Sequence, residues 1–203
     1  MKIRKLVAAT AAFAALAVTG LASPAEAQSG PTLADILDAQ GGGTDRNWYD
    51  FDILAAGVDV AGLSDALDDP SADLTVFIPN DRAFQVLVAD LYGWWYLFAD
   101  EATILNKVAE LEASAPGTLQ TVILYHVVPG EITSDVALSV PRGTELTTLQ
   151  GGTIKVFPFG RTALLVDQDR NDLDPWLVRS KLDIQASNGV AHGISLVLRP
   201  SNL

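Results

Sequence analysis

An α+β fold is expected from the sequence, with helices gathered in the first half of the chain and short antiparallel strands in the second. Three observations lead there. Apolar residues recur at helical spacing as far as Leu124, and from Tyr125 the period becomes strand-like. The turn signals Gly151-Gly152 and Asn188-Gly189 separate brief β-branched runs in the second half. The composition, 49% hydrophobic and 19% charged over 203 residues, suits a chain that buries a core, and neither a repeat nor a linker divides it. One domain is expected.

The first 27 residues read as a targeting segment. Met1 to Lys5 is a basic start, Leu6 to Ala22 is uncharged and apolar, and Ala25-Glu26-Ala27 follows a break at Ser23-Pro24. This is the pattern of a bacterial-type secretory signal peptide, with cleavage expected between Ala27 and Gln28. The apolar run is short for an anchor, and no later stretch would span a bilayer, so no transmembrane anchor is expected in the mature chain. Cleavage removes three bases (Lys2, Arg4, Lys5) and one acid (Glu26), taking the formal charge from −12 to −14. Such acidity argues against a nucleic-acid partner, whose phosphates are bound through Lys and Arg. The chain has no cysteine, which removes disulfides, thiolate metal sites and a cysteine nucleophile. Residues 28–203 must therefore be held by their core, and a chain of this size buries roughly 70% of its unfolded surface.

The elements follow in order. Leu33, Ile36 and Leu37 mark a helix stopped at Gly41-Gly42-Gly43. Ile53, Leu54, Val58, Val60, Leu63 and Leu67 share one apolar face across a bend at Gly57, before a loop at Asp68-Asp69-Pro70-Ser71. Leu74 to Pro79 is β-branched, aromatic and closed by proline, so it reads as a buried strand. Asn80 or Asp81 caps the next helix, whose Phe84, Leu87, Val88 and Leu91 face inward. A helical insertion is expected over about 89–118, with Ile104, Val108, Leu111 and Ala115 on one face and an end at Pro116-Gly117. A further helix carries Leu119, Val122, Ile123 and Leu124. Short strands are expected at 144–149, 153–157, 162–166, 176–179, 182–186 and 190–198.

Three segments resemble signatures of one family, in its order. Thr75-Val76-Phe77-Ile78-Pro79-Asn80-Asp81-Arg82-Ala83-Phe84 is similar to the first signature of the fasciclin-type (FAS1) domain, TVFAPTDxAF. Leu124-Tyr125-His126-Val127-Val128-Pro129-Gly130 resembles its central Tyr-His segment, and Asn188 to Pro200 its closing signature, NGVIHxIDxVLxP. The resemblance implies a FAS1 fold: an antiparallel β-wedge or sandwich of about seven strands, with the N-terminal helices packed on it and a helical insertion. Residues 28–203 would then be a single FAS1 domain, with signatures at 74–84, 124–130 and 188–200.

The motif residues Thr75, Phe77, Pro79, Asp81, Phe84, Asn188, Gly189 and His192 read as architectural. Asn188-Gly189 suits a type I′ hairpin turn, and Asp81 can accept from free helix N–H groups. His126 and His192 read as core histidines with their ring nitrogens bonded. The resemblance also implies a contact role for Tyr125 and His126, because the Tyr-His region has been linked to receptor binding in animal members. Three positions depart from the pattern: Asn80 replaces threonine, Gly193 a bulky residue and Ser195 an aspartate.

Candidate chemistry is sparse. Gly193-Ile194-Ser195-Leu196-Val197 begins like a nucleophile elbow, but it lacks the final glycine and falls where a strand is expected. Asp167, Asp169, Asp172 and Asp174 are weak candidate metal ligands; the run fails the EF-hand pattern at Asp172 and Val178 and reads as a solvated loop. No cofactor is implied. The least ordinary feature is Tyr92-Gly93-Trp94-Trp95-Tyr96-Leu97-Phe98, where five of seven residues are aromatic. Read as a helix, it buries Leu91, one tryptophan and Phe98 and leaves Tyr92, Tyr96 and the other tryptophan partly exposed. Tyr92, Trp94, Trp95, Tyr96 and Phe98 are accordingly candidate contact residues.

The function expected is a secreted, non-enzymatic adhesion or interaction module, periplasmic or extracellular. Its partners would be a cell-surface or extracellular protein or polymer, or a second copy. The alternative is a carrier of an apolar small molecule, carotenoid- or lipid-like, using the aromatic insertion; an extracellular hydrolase ranks third.

Overall fold

The structure is a computed structural model and describes residues 30–40 and 43–201. The signal-peptide reading, most of the polar lead-in and Gly41-Gly42 lie outside these residues. The described chain runs α1 (Leu33–Gln40), α2 (Asp52–Val60), α3 (Ser64–Asp68), β1 (Leu74–Pro79), α4 (Asp81–Tyr92), α5 (Glu101–Ser114), α6 (Thr118–Tyr125), β2 (Val127–Pro129), α7 (Ser134–Ser139), β3 (Thr144–Thr147), β4 (Thr153–Phe159), β5 (Thr162–Val166), β6 (Ile184–Ala186) and β7 (Gly189–Ile194). Two 3-10 turns, Trp94–Phe98 and Arg179–Lys181, interrupt the series. The α+β class holds.

Two sheets form, one of order β2-β1-β7-β6 and one of order β3-β4-β5. The central pair of the first, β1 and β7, is parallel, with Leu74 opposite Gly189 and Pro79 opposite Ile194. This corrects the expectation of purely antiparallel strands; the other strand pairs are antiparallel. Parallel pairing needs a long crossover, which the helices between β1 and β7 provide, and it sits where both faces are covered. Every residue of β1 and β7 is accordingly buried.

The faces of β1 separate two cores by the strand's period of two. Leu74, Val76 and Ile78 join the helical core of Leu33, Ile53, Leu54, Phe84, Leu87, Ile104 and Ile123. Phe77 points the other way, into the layer between the sheets with Ile154, Val156, Leu165, Leu177 and Ile194. The helical insertion does not make a separate small core. Its first residues are the last turn of α4, and Ile104 and Val108 of α5 enter the main helical core. Val60 and Ala115, expected on buried faces, are exposed at helix ends.

The strands expected at 176–179 and 190–198 are shorter than predicted. Residues 176–177 make only isolated bridges, Leu164 with Trp176 and Leu177 with Ile194, and β7 ends at Ile194. Leu177 thereby stitches one sheet to the other. The departures at Gly193 and Ser195 serve this segment. A Cβ on Gly193 would lie 2.6 Å from Lys181 Cβ, and Ser195 Oγ accepts the Trp176 N–H at 2.9 Å.

The type I′ turn at Asn188-Gly189 is also corrected. The turn residues are Ser187 and Asn188, and Asn188 does not have positive φ. Asn188 is buried instead: its Oδ1 accepts the Leu33 N–H at 2.9 Å, and its Nδ2 donates to Leu67 O (2.8 Å) and Asp69 O (3.0 Å). One amide thus ties α1 and the end of α3 to the hairpin. Gly189 is needed for close approach, since at φ 147° a Cβ would sit 2.0 Å from Leu74 O.

Candidate functional site

The family motifs are built into the interior. Thr75 Oγ1 donates to Gly130 O at 2.6 Å and accepts the Ile132 N–H at 2.7 Å, pinning the loop after β2. Asn80 Oδ1 caps α4 by accepting the Ala83 N–H at 3.0 Å. Asp81, fully buried, caps a different helix: its Oδ1 accepts the Ile53 N–H in the first turn of α2 at 2.9 Å. Pro79 ends β1, and Phe84 lies in the helical core.

Tyr125 and His126, candidates for surface contact, are withdrawn from the surface. Tyr125 is wholly buried, its hydroxyl donating to Thr153 O at 2.6 Å. His126 Nδ1 lies 2.7 Å from Val122 O, and its Nε2 accepts the Leu198 N–H at 2.9 Å. The ring takes over from its own backbone N–H, which bonds Ile123 O, and so carries the last turn of α6 onto the closing signature. Burial pushes its pKa down to about 4, so the ring is neutral with the proton on Nδ1. His192 is the opposite tautomer: Nε2 donates to Ile132 O at 2.8 Å and Nδ1 accepts the Asp183 N–H at 3.2 Å. Both nitrogens of both rings are engaged, and Ser195 Oγ serves the Trp176 amide. These three residues do not assemble into a nucleophile and base.

The acidic loop is not a solvated hairpin tip. Asp169 is buried, and Arg199 of the closing signature reaches into the loop. Its guanidinium pairs with Asp172, with Asp90 at 3.0 Å and with Asp169 at 3.6 Å, while the Arg199 backbone N–H donates to Asp167 Oδ2 at 2.8 Å. Asp174 accepts the Asp167 N–H at 3.1 Å. Burial, ahead of the neighbouring carboxylates, pushes Asp167 up to about 6. Two of the four candidate ligands, Asp169 and Asp172, thus meet a cation of the protein's own. Beside Arg199 lies a cleft of about 260 Å³, lined in part by Val86, Leu87, Asp172, Leu173 and Val197.

The aromatic segment departs from the helical expectation at Phe98 and at the tryptophan expected inside: both tryptophans are exposed, while Leu91 packs on the core and Tyr92 and Tyr96 are partly exposed as expected. Gly93, at φ 123°, ends α4, and Trp94–Phe98 winds as a 3-10 turn, whose tighter pitch places its side chains differently from an α-helix. Trp94, Trp95 and Phe98 are 68%, 58% and 81% exposed, whereas Tyr92 and Tyr96 pack on the helical core. The rings meet in two groups: Trp94 meets Phe98 edge-on with centroids 6.1 Å apart, and Tyr96 lies between Tyr92 (6.3 Å) and Trp95 (6.1 Å). Lys107 Nζ sits 5.5 Å and 5.8 Å from the Tyr92 and Tyr96 centroids, and Gln85 Nε2 donates to Ala99 O at 2.9 Å. The result is a fixed apolar prominence. A second exposed pair, Phe159 and Trp176 at 6.3 Å, is not visible in the sequence because the two residues lie far apart along the chain.

Sequence reasoning also missed a carboxylate cluster. Asp45, Asp50, Asp52 and Glu101 bring oxygens within 4.8 Å of one another, with Asp52 and Glu101 buried. Asp81 adjoins Asp50 and Glu101, and burial followed by these neighbours pushes it up to about 9. The available signal was weak, because Asp52, Asp81 and Glu101 each read as an ordinary acid in the first turn of a helix.

With that geometry in hand, the class is plain: an α+β domain of two sheets and a helical layer, knitted through three internal signatures. The family model described as Fasciclin domain matches residues 49–200, and the chain belongs to that family. A solved structure titled as a FAS1 domain pair from the insect cell adhesion molecule Fasciclin I is similar in fold, with a TM-score of 0.58 at 16% identity. The match covers 83% of this chain and 51% of that one, so this chain spans about half of the pair. No curated protein matches the sequence. Among the described residues no helix is long and apolar enough to cross a membrane.

Proposed function

We propose that the protein is a secreted, non-enzymatic adhesion module whose contact surface is the prominence of Trp94, Trp95 and Phe98. Residues 1–27 direct export, with the mature chain beginning at Gln28 in the periplasm or outside the cell. The observation that carries the reading is the exposure of three large aromatic side chains on a braced 3-10 turn. Nothing in the packing of Trp94 or Phe98 calls for such residues, and exposed apolar patches with fixed aromatic anchors favour association. The partner is a cell-surface or extracellular protein or polymer, or a second copy of the chain.

The test compares the exported protein with a Trp94→Ser/Trp95→Ser/Phe98→Ser variant in binding to cell-surface fractions and in sedimentation. The expected result is at least a tenfold loss of binding or self-association with thermal stability kept. Unchanged binding would overturn the reading. The alternative, carriage of an apolar small molecule, draws on the same side chains and is read from native protein by extractable pigment or lipid. The cleft beside Arg199 gives it little support, being below the usual size of a ligand pocket and charged on one wall.

A further inference from the structure

We propose that Asp45, Asp50, Asp52 and Glu101, backed by Asp81, form a calcium site that clamps the starts of three helices. α2 begins at Asp52, α4 at Asp81 and α5 at Glu101, and the loop carrying Asp45 and Asp50 closes over them. One acid in a first turn complements a helix dipole and needs no metal. Here five carboxylates converge, and three dipoles supply only about +0.5 charge each. Among the described residues no Lys or Arg pairs with Asp45, Asp50, Asp81 or Glu101.

The hydrogen bonds leave specific oxygens unused. Glu101 Oε2 accepts the Asp45 N–H, Asp45 Oδ1 accepts the Asn47 N–H, and Asp50 Oδ2 accepts from Asn47 Nδ2 at 2.7 Å. Asp50 Oδ1, Glu101 Oε1 and Asp81 Oδ2 are shut off from water with no donor. Asp81 is the independent pointer: it lies outside the four-residue group, is 0% exposed, adjoins the Asp50 and Glu101 carboxylates, and keeps one oxygen without a donor. Buried oxygens without donors are costly unless a proton or a cation meets them.

An all-oxygen, multiply anionic donor set selects a hard cation. Calcium binds six to eight oxygens at about 2.3–2.6 Å, and the oxygens of this set, all within 4.8 Å of one another, are close enough together to share one ion. Magnesium keeps several waters and is seldom held in an all-protein cage. The site stands apart from the aromatic surface, but the two are joined in sequence, because Glu101 follows Phe98 by three residues. A bound ion would fix the far end of the aromatic turn.

The exported protein, stripped with EDTA, is titrated with calcium chloride by calorimetry and followed by thermal unfolding. One ion per chain is expected, with Tm raised by about 5–10 °C at a hundredfold excess over Kd. Glu101→Gln and Asp50→Asn should each weaken binding at least tenfold and raise the Tm of the stripped protein, since each relieves repulsion. Asp172→Asn, in the loop around Arg199, should leave calcium affinity unchanged. No heat and no Tm shift up to about 10 mM calcium, beyond the range of weak extracellular sites, would overturn the proposal and leave shared protons as the neutralising agent. Binding that Asp172→Asn abolishes and Glu101→Gln spares would overturn it as well.

Discussion

Replacing His126 with phenylalanine tests whether this histidine is a neutral core element. The ring is 3% exposed and its shape is nearly kept by Phe, so little cavity opens. What disappears is the donor to Val122 O and the acceptor for the Leu198 N–H, at 2.7 Å and 2.9 Å. Each buried group left unpaired costs about 1–3 kcal/mol, so the variant should lose about 2–6 kcal/mol at pH 7. The pH dependence is sharper. Above about 6.5 the histidine is neutral whether folded or unfolded. Between 6.5 and about 4 the unfolded chain binds a proton that the folded ring refuses, so wild-type stability falls as pH falls. Over that window the loss is about 3 kcal/mol. Phenylalanine does not titrate, so the gap between wild type and variant should narrow by about that amount between pH 7 and pH 4. Urea unfolding followed by circular dichroism at several pH values measures it. A gap constant with pH would refute the neutral, doubly bonded ring.

Two further substitutions probe the closing signature. Arg199→Met leaves the buried Asp169 carboxylate without its guanidinium, and about 3–5 kcal/mol should be lost in denaturant unfolding; a loss below 1 kcal/mol would mean that the loop carboxylates are neutralised in another way. Gly189→Ala drives a Cβ to 2.0 Å from Leu74 O at φ 147°, so the β1–β7 register should break. Little folded protein should be recovered, as judged by gel filtration and dispersion of the amide spectrum.

How much was legible in the sequence varied with the range of the interaction. The β1 strand and the α4 face depend on neighbours within about four residues and are legible in the sequence, which narrows the α4 cap only to Asn80 or Asp81. Asn188 was read as a local turn residue, yet its amide bonds to Leu33, Leu67 and Asp69, which no local pattern could reveal. The aromatic run is visible as a feature, but the exposure of Phe98 and of the second tryptophan is not, because Gly93 ends the α-helix and the 3-10 turn that follows does not share its face.

By itself the sequence determined the α+β order, the three signatures and the family, because periodicity, turn chemistry and motif order are properties of consecutive residues. Tertiary structure alone decided that β1 and β7 run parallel, that Arg199 pairs with Asp169 and Asp172 of the acidic loop, and that Asp45, Asp50, Asp52, Asp81 and Glu101 meet. Those partners lie tens of residues apart. Burial and charge become meaningful only when the fold brings such groups within a few ångströms, where water no longer screens them.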